Sequence, residues 1–195
     1  LWRLPAMRIA RFVAPVLLLA TVFASSACTP MATYPPESKA EPALPWMYPI
    51  PQVMAKSLAS TYNKTVETVD GTQPALVYNL PAGIPVGVWK QVAIDTGVEN
   101  ARPATAEDML NGTPIWTVER IAVRGQRAQV DVVYPDRKIF QLASVTLRAK
   151  PLQPFHVAAF QRFLIAKAMP EVNNPMGAIE ELEPTAVANT DDTGE

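Results

Sequence analysis

The chain contains one cysteine, Cys28, and one histidine, His156. A single cysteine has no partner within the chain for a disulfide, and a lone thiol in an oxidising compartment requires another explanation. One cysteine and one histidine are also too few to supply the clustered ligands of a zinc, haem or non-haem iron centre. The sequence therefore predicts no metal site and no cofactor.

Motifs of well-known catalytic and nucleotide-binding sites are missing as well. The sequence has no calcium loop of alternating Asp and Asn closed by Glu, no glycine-rich phosphate loop and no Gly-x-Ser-x-Gly elbow. Its formal net charge of −1 gives no bulk attraction for nucleic acid. These absences argue against an enzyme and against a nucleic-acid-binding protein.

The first residues of the chain have the order of charges and apolar residues that is typical of a secretory signal. Three arginines form a basic start, and they are Arg3, Arg8 and Arg11. An apolar run over residues 12–24 follows, which is shorter than the ~20 residues of a membrane-spanning helix. Small residues then lead to Cys28, so the pattern predicts a signal peptide over residues 1–27.

The segment Ser25-Ser26-Ala27-Cys28 resembles the lipobox of bacterial lipoproteins. The resemblance implies that Cys28 is lipidated, becomes the first residue after cleavage and holds the chain to membrane lipid. Thr29 stands where an aspartate commonly signals retention in the inner membrane, which implies the outer membrane in a cell that has one. The alternative is a freely secreted protein with one unpaired cysteine.

Composition divides the remaining chain into three parts. Prolines are dense in residues 28–45, and they predict an extended tether that holds the domain away from its anchor. Residues 46–169 are long and apolar enough for a single domain. Residues 170–195 predict a largely disordered acidic tail without Lys or Arg, in which the acidic residues are Glu171, Glu180, Glu181, Glu183, Asp191, Asp192 and Glu195.

Residues 115–165 show the clearest secondary-structure pattern. Apolar and polar residues alternate through them, and short turns divide them into strands at 115–124, 128–134, 139–149 and 155–165. Because short connections join neighbouring strands antiparallel, this segment predicts a four-strand meander. The other predicted elements are helices at 51–63 and 105–112 and strands at 75–80 and 84–95. The predicted fold class is α+β, with a small antiparallel sheet packed by one or two helices.

Most aromatic residues are predicted to lie in the core rather than in a binding site. They are Trp46, Tyr48, Trp89, Trp116, Tyr134, Phe140, Phe155, Phe160 and Phe163.

Two candidate sites follow from the meander. The strand ends alternate between the two ends of such a sheet, so four cations come together at one end and predict an anion-contact patch: Arg124, Arg127, Arg148 and Lys150. Such a patch could contact lipid headgroups, acidic wall polymers, an acidic partner or the acidic tail of the protein itself. The alternative is four solvated turn residues. The same topology predicts Ser144 close to Asp131 and nearly opposite His156, which could form a nucleophilic site.

Together these features favour a membrane-anchored envelope lipoprotein that acts through contacts with a protein or an acidic polymer and not as an enzyme. The alternatives are a periplasmic domain that binds a small molecule in a pocket between sheet and helix, or a hydrolase.

Overall fold

The computed structural model of the chain describes residues 30–66, 73–137 and 139–176. Within these ranges the chain forms eight strands and three helices. The strands are β1 Ala32–Tyr34, β2 Glu41–Pro42, β3 Val77–Asn79, β4 Arg102–Pro103, β5 Ile115–Arg124, β6 Arg127–Asp136, β7 Ile139–Arg148 and β8 His156–Lys167; the helices are α1 Ile50–Thr65, α2 Val86–Asp95 and α3 Ala106–Leu110. The predicted signal peptide, Cys28 and the tail from residue 177 onwards lie outside the described residues.

All eight strands belong to one mixed sheet with the order β2-β1-β5-β6-β7-β8. The outer edge of β5 is shared by two short strands, since β1 pairs antiparallel with residues 121–123 and β3 pairs parallel with residues 115–117. Strand β4 extends the β3 side. We call the two ends of this sheet the Arg124 end and the Ile115 end, after the last and the first residue of β5.

The predicted α+β class and the predicted meander are confirmed, because β5 to β8 pair antiparallel in sequence order. The predicted size of the sheet is wrong, because it has more than four strands. The additional strands contain two or three residues each. Strands this short carry too few side chains for a recognisable alternation.

Helix α1 covers one face of the sheet, as predicted for the segment 51–63. Its buried face includes Val53, Met54, Leu58 and Tyr62, and it packs mainly on β5 and β6. The facing side chains of β6 are Ala128, Val130, Val132 and Tyr134, which form the main core with the helix. The other face of the meander therefore lies away from α1, and we call it the open face.

The predicted strand at 84–95 is wrong, because these residues form helix α2 after Pro85. The buried side chains Val88, Trp89 and Val92 are spaced i, i+1 and i+4, which places them on one side of a helix. Trp89 is fully buried, and its indole N–H donates to the carbonyl of Ile84. Tertiary burial of this face outweighs the preference of the valines for a strand.

The short helix predicted at 105–112 is confirmed as α3. The Thr105 hydroxyl accepts a hydrogen bond from the Asp108 N–H, and the Asp108 carboxylate accepts one from the Thr105 N–H, which forms a capping box. Gly112 follows the helix with a φ of +67°, a conformation that a glycine adopts without strain.

The structure differs from the predicted tether and begins the folded part earlier than residue 46. Strand β1 begins at Ala32, and both Thr33 and Tyr34 are buried beside β5. Ala43 is buried as well, and its N–H donates to the carbonyl of Thr33. The prolines of this segment fit a sheet edge, where a missing N–H costs little.

The folded part also continues beyond residue 169. Residues 168–176, which we call the strap, run from the end of β8 to β3 and β4. The buried Asn79 holds the strap by donating to the carbonyl of Glu171 and accepting from the N–H of Asn173. Val172 packs on a second small core of Val77, Ala104 and Ile115. The chain therefore enters the described fold at the Arg124 end and leaves it near the Ile115 end.

Candidate functional site

The Arg124 end of the open face carries a row of basic side chains. The two-residue turn Gly125–Gln126 sets Arg124 opposite Arg127, and the pairing of β6 with β7 sets Arg127 opposite Arg148. His156 of β8 lies opposite Arg148 and completes the row. We call Arg124, Arg127 and Arg148 the cation row. All three are exposed, and Lys150 follows in the loop after β7.

The neighbouring row along the open face contains no charge. It consists of Ala122, Gln129, Thr146 and Ala159, one from each strand of the meander. The basic side chains are thus separated by one row of small or neutral residues from the nearest carboxylates of the open face. A group of neighbouring cations creates a positive local potential. The predicted grouping of Arg124, Arg127, Arg148 and Lys150 agrees with the strand register, whereas anion binding by them remains a prediction.

The third row is a charged network of one arginine and two acids. Arg120 forms a two-point ion pair with Glu37 and lies 3.6 Å from the Asp131 carboxylate. The Ser144 hydroxyl donates to Asp131 over 2.7 Å. The Arg120 guanidinium holds the pKa of Glu37 below its usual range, mainly by hydrogen bonding. The row links β5, β6 and β7 to the loop after β1.

The sequence correctly predicts Ser144 beside Asp131 but wrongly predicts His156 opposite Ser144. Gln161 lies opposite Ser144, while His156 lies opposite Arg148. The two side chains are therefore on the same face but ~13 Å apart along β7. The predicted pair of Ser144 with His156 centres the hairpin at Lys150, whereas the observed pair of Arg148 with His156 centres it at Leu152. This difference changes the partner of every residue in the hairpin. A Ser–His contact, which a nucleophilic triad requires, is not formed.

A shallow cleft of about 520 Å³ lies at the Arg124 end. It is bounded by Tyr48 and Gln52 on the helix side, by the Gly125–Gln126 turn and by the loop 149–155. The cleft opens broadly to solvent and has no enclosed apolar interior of the kind that binds small molecules tightly.

Exposed apolar side chains surround this cleft. Tyr48 is 69% exposed and Leu152, which has a φ of +60° at the tip of its loop, is fully exposed. Trp46 and Met47 immediately precede Tyr48 and are 57% and 53% exposed. We call these four residues the apolar rim.

The core prediction for the aromatic residues is correct for some and wrong for two. Trp89, Trp116, Tyr134 and Phe155 are buried, and Phe140, Phe160 and Phe163 are partly buried. Trp46 and Tyr48 are exposed instead. They lie in a segment between Pro45 and Pro49 that has no strand or helix periodicity. That combination of apolar residues and prolines in a loop is the signal that could have identified them.

Two further observations concern the described residues only. In residues 30–66, 73–137 and 139–176, no three His, Cys, Asp or Glu side chains are grouped so that they could hold a metal ion. In the same part of the chain, every helix is too short or too polar to cross a lipid bilayer.

No known family model, curated protein or solved structure matches this chain.

Proposed function

We propose that this chain is a lipoprotein of the bacterial cell envelope, anchored through an acylated Cys28, and that its domain acts by contact with other envelope components rather than by catalysis. The leader and the residues before Cys28 support the anchor. The absence of a Ser–His contact within the described open face removes the support that the sequence lends to a hydrolase.

The observation that carries this proposal is the position of β1. Ala32 is the fourth residue after Cys28 and pairs with Val123, next to Arg124. The chain between Cys28 and the sheet spans at most about 14 Å. An acyl anchor at Cys28 would therefore hold the Arg124 end, with the cation row and the neighbouring apolar rim, close to a lipid surface.

The anchor is tested by fractionating cells that express the full chain and measuring the mass of the N-terminal peptide of the recovered protein. We expect the protein in the membrane fraction, cleaved before Cys28 and carrying acyl chains on it. The matched control is Cys28→Ser, which removes the acylation site with one atom changed, so that its N-terminal peptide should carry no acyl chain. Recovery of the wild-type chain with an intact leader in the cytosol, or without membrane and with a free thiol, would contradict the proposal.

Partners are tested in the same preparation by affinity recovery after detergent extraction. Reproducible envelope proteins or wall fragments, lost in an Arg127→Glu/Arg148→Glu variant, would support a contact module. Turnover of any screened ester or glycoside substrate would contradict it.

A further inference from the structure

We propose that the Arg124 end of the domain lies directly on an anionic lipid surface, with the cation row at the phospholipid headgroups and the apolar rim inserted between them. This inference deepens the proposed function, on which its cellular meaning rests. It differs from the predicted tether, which would hold the domain away from the membrane.

The first step of the argument is charge. Arg127 and Arg148 lie directly opposite each other with Arg124 and His156 on either side, although like charges in register destabilise a strand pair. Glu41 of β2 is an acid close to this end of the sheet. Lys39, two residues before it, adds a compensating positive charge. Among the described residues of the Arg124 end, the basic side chains therefore outnumber the acidic ones. An anionic lipid surface attracts such a group with a factor of about five in affinity per Lys or Arg.

The second step is the apolar rim. Trp46, Met47 and Tyr48 follow one another between Pro45 and Pro49, whereas Leu152 stands on a separate loop that borders the same cleft as Tyr48. Tryptophan and tyrosine favour the headgroup region because they have an apolar ring and a polar group. Exposed aromatic and aliphatic side chains beside cations fit a lipid interface better than they fit a protein surface, which requires matching shape.

The third step is the direction of the chain. The segment that follows Cys28 reaches the sheet at this same end, beside Val123. Leu164 and Ile165 form another exposed apolar pair, at a bulge in β8. They lie towards the Ile115 end, where Lys167 is paired with Glu119, so neither charge nor the anchor favours that surface.

The test uses the chain from residue 28 onwards with Cys28→Ser, because every helix, strand and core of the described residues lies between 30 and 176. The protein is sedimented with vesicles of phosphatidylcholine alone and of phosphatidylcholine mixed with phosphatidylglycerol, at low and at high salt. We expect binding to the mixed vesicles only, and we expect high salt to weaken it.

Two double variants separate the cation row from net charge. Arg127→Glu/Arg148→Glu changes the row, whereas Lys90→Glu/Arg137→Glu makes the same change in charge on α2 and at the opposite end of β6. We expect the first variant to lose at least about 20-fold in vesicle affinity and the second to lose far less. Circular dichroism and urea unfolding confirm that both variants are folded.

Tryptophan fluorescence reports the depth of the apolar rim. Trp89 and Trp116 are buried, so Trp46 is the exposed tryptophan of the described residues. Trp2 lies before residue 28 and is therefore not part of the test protein. Brominated lipid should therefore quench Trp46 in the mixed vesicles. Trp46→Phe should abolish the quenching and leave the buried tryptophans unchanged.

Three results would overturn the inference: equal sedimentation with both kinds of vesicle, equal losses in the two double variants, or binding without quenching of Trp46. Binding of a soluble acidic polymer without vesicle binding would also overturn it, in favour of a polymer contact. Because the test protein carries Cys28→Ser and has no acyl anchor, none of these results bears on whether Cys28 is lipidated in cells. Conversely, an unmodified Cys28 in cells would leave vesicle binding by the domain intact.

Discussion

At the scale of single residues, two threonines one turn apart on α1 have opposite environments. Thr61 is fully buried and its hydroxyl has no hydrogen-bond partner. Thr65 donates to the carbonyl of Thr61 over 2.7 Å and accepts from the indole N–H of Trp116 over 2.9 Å. A buried hydroxyl without a partner costs about 1–3 kcal/mol of stability, whereas a paired one contributes about 1 kcal/mol.

We therefore predict opposite signs for the same substitution at the two positions. Thr61→Val removes an unpaired hydroxyl at equal shape and should raise the free energy of unfolding by about 1 kcal/mol. Thr65→Val leaves the Trp116 N–H without its acceptor and should lower it by about 1–2 kcal/mol. Both residues are β-branched, so helix propensity changes little. Urea unfolding monitored by circular dichroism measures both, and two changes of the same sign would contradict the prediction.

Asp108 is the carboxylate with the most hydrogen bonds among the described residues. It accepts from both terminal nitrogens of Arg102 at 2.6 Å and from the N–H and hydroxyl of Thr105 at 2.9 Å. The Arg102 guanidinium, together with these Thr105 donors, holds the pKa of Asp108 well below its usual range. The ion pair joins β4 to α3.

The lowered pKa makes part of the stability depend on pH. Because the folded pKa lies below the unfolded one, the carboxylate stabilises the fold fully above its ordinary pKa of about 4, and this contribution is lost as pH falls towards the folded value. Asp108→Asn should thus lower the free energy of unfolding by about 1–2 kcal/mol at neutral pH, a range that allows for the half-exposed Arg102. The difference from wild type should shrink in acid. Asp95→Asn on the exposed side of α2 is the control, and an equal pH profile for both variants would sink the prediction.

At the scale of elements, the strap depends on one buried amide. Asn79 is fully buried, and both ends of its side chain bond to the backbone of Glu171 and Asn173. Asn173 and Asn174 donate in turn to the carbonyls of Leu80 and Ala104. The strap is therefore fixed at the Ile115 end, where Val172 packs on Ile115.

Asn79→Ala should release the strap. Two hydrogen bonds are lost and two backbone groups of the strap lose their partners, so the free energy of unfolding should fall by about 2–3 kcal/mol. Hydrogen exchange of residues 168–176 should accelerate more than that of the meander. Asn63→Ala, at an exposed position of α1, should change neither quantity. Unchanged exchange in the strap of the Asn79 variant would show that packing of Val172 suffices.

Elements differ in how far the sequence predicts them, and the reasons are physical. The meander is predictable because its alternation is long and the Gly125–Gln126 turn fixes the register of Arg124 with Arg127. The register of His156 with β7 is not predictable, because the long loop between β7 and β8 allows several pairings of the two strands. Helix α2 and the exposure of Trp46 depend on which distant surfaces are covered, and local pattern does not contain that information. Strands β1, β2 and β4 exist through pairing with partners far along the chain.

At the scale of the whole molecule, charge and topology share one axis. The basic end of the open face coincides with the entry of the chain, and the network of Glu37, Arg120 and Asp131 occupies the middle of the face. Residues 177–195, with six acidic residues and no basic one, continue from the strap near the Ile115 end. Within the described residues, the charge of the open face therefore changes from basic at the Arg124 end to an excess of one acid in the middle.

The separation of chain entry from chain exit has a practical consequence. Between Arg124 and Thr117, beside which β3 and the strap lie, β5 covers ~23 Å, more than two Debye lengths at physiological ionic strength. A fluorophore attached to the strap thus lies beyond the electrostatic range of whatever meets the Arg124 end. The strap is therefore a position from which this protein can be labelled, immobilised or imaged while its basic end stays accessible.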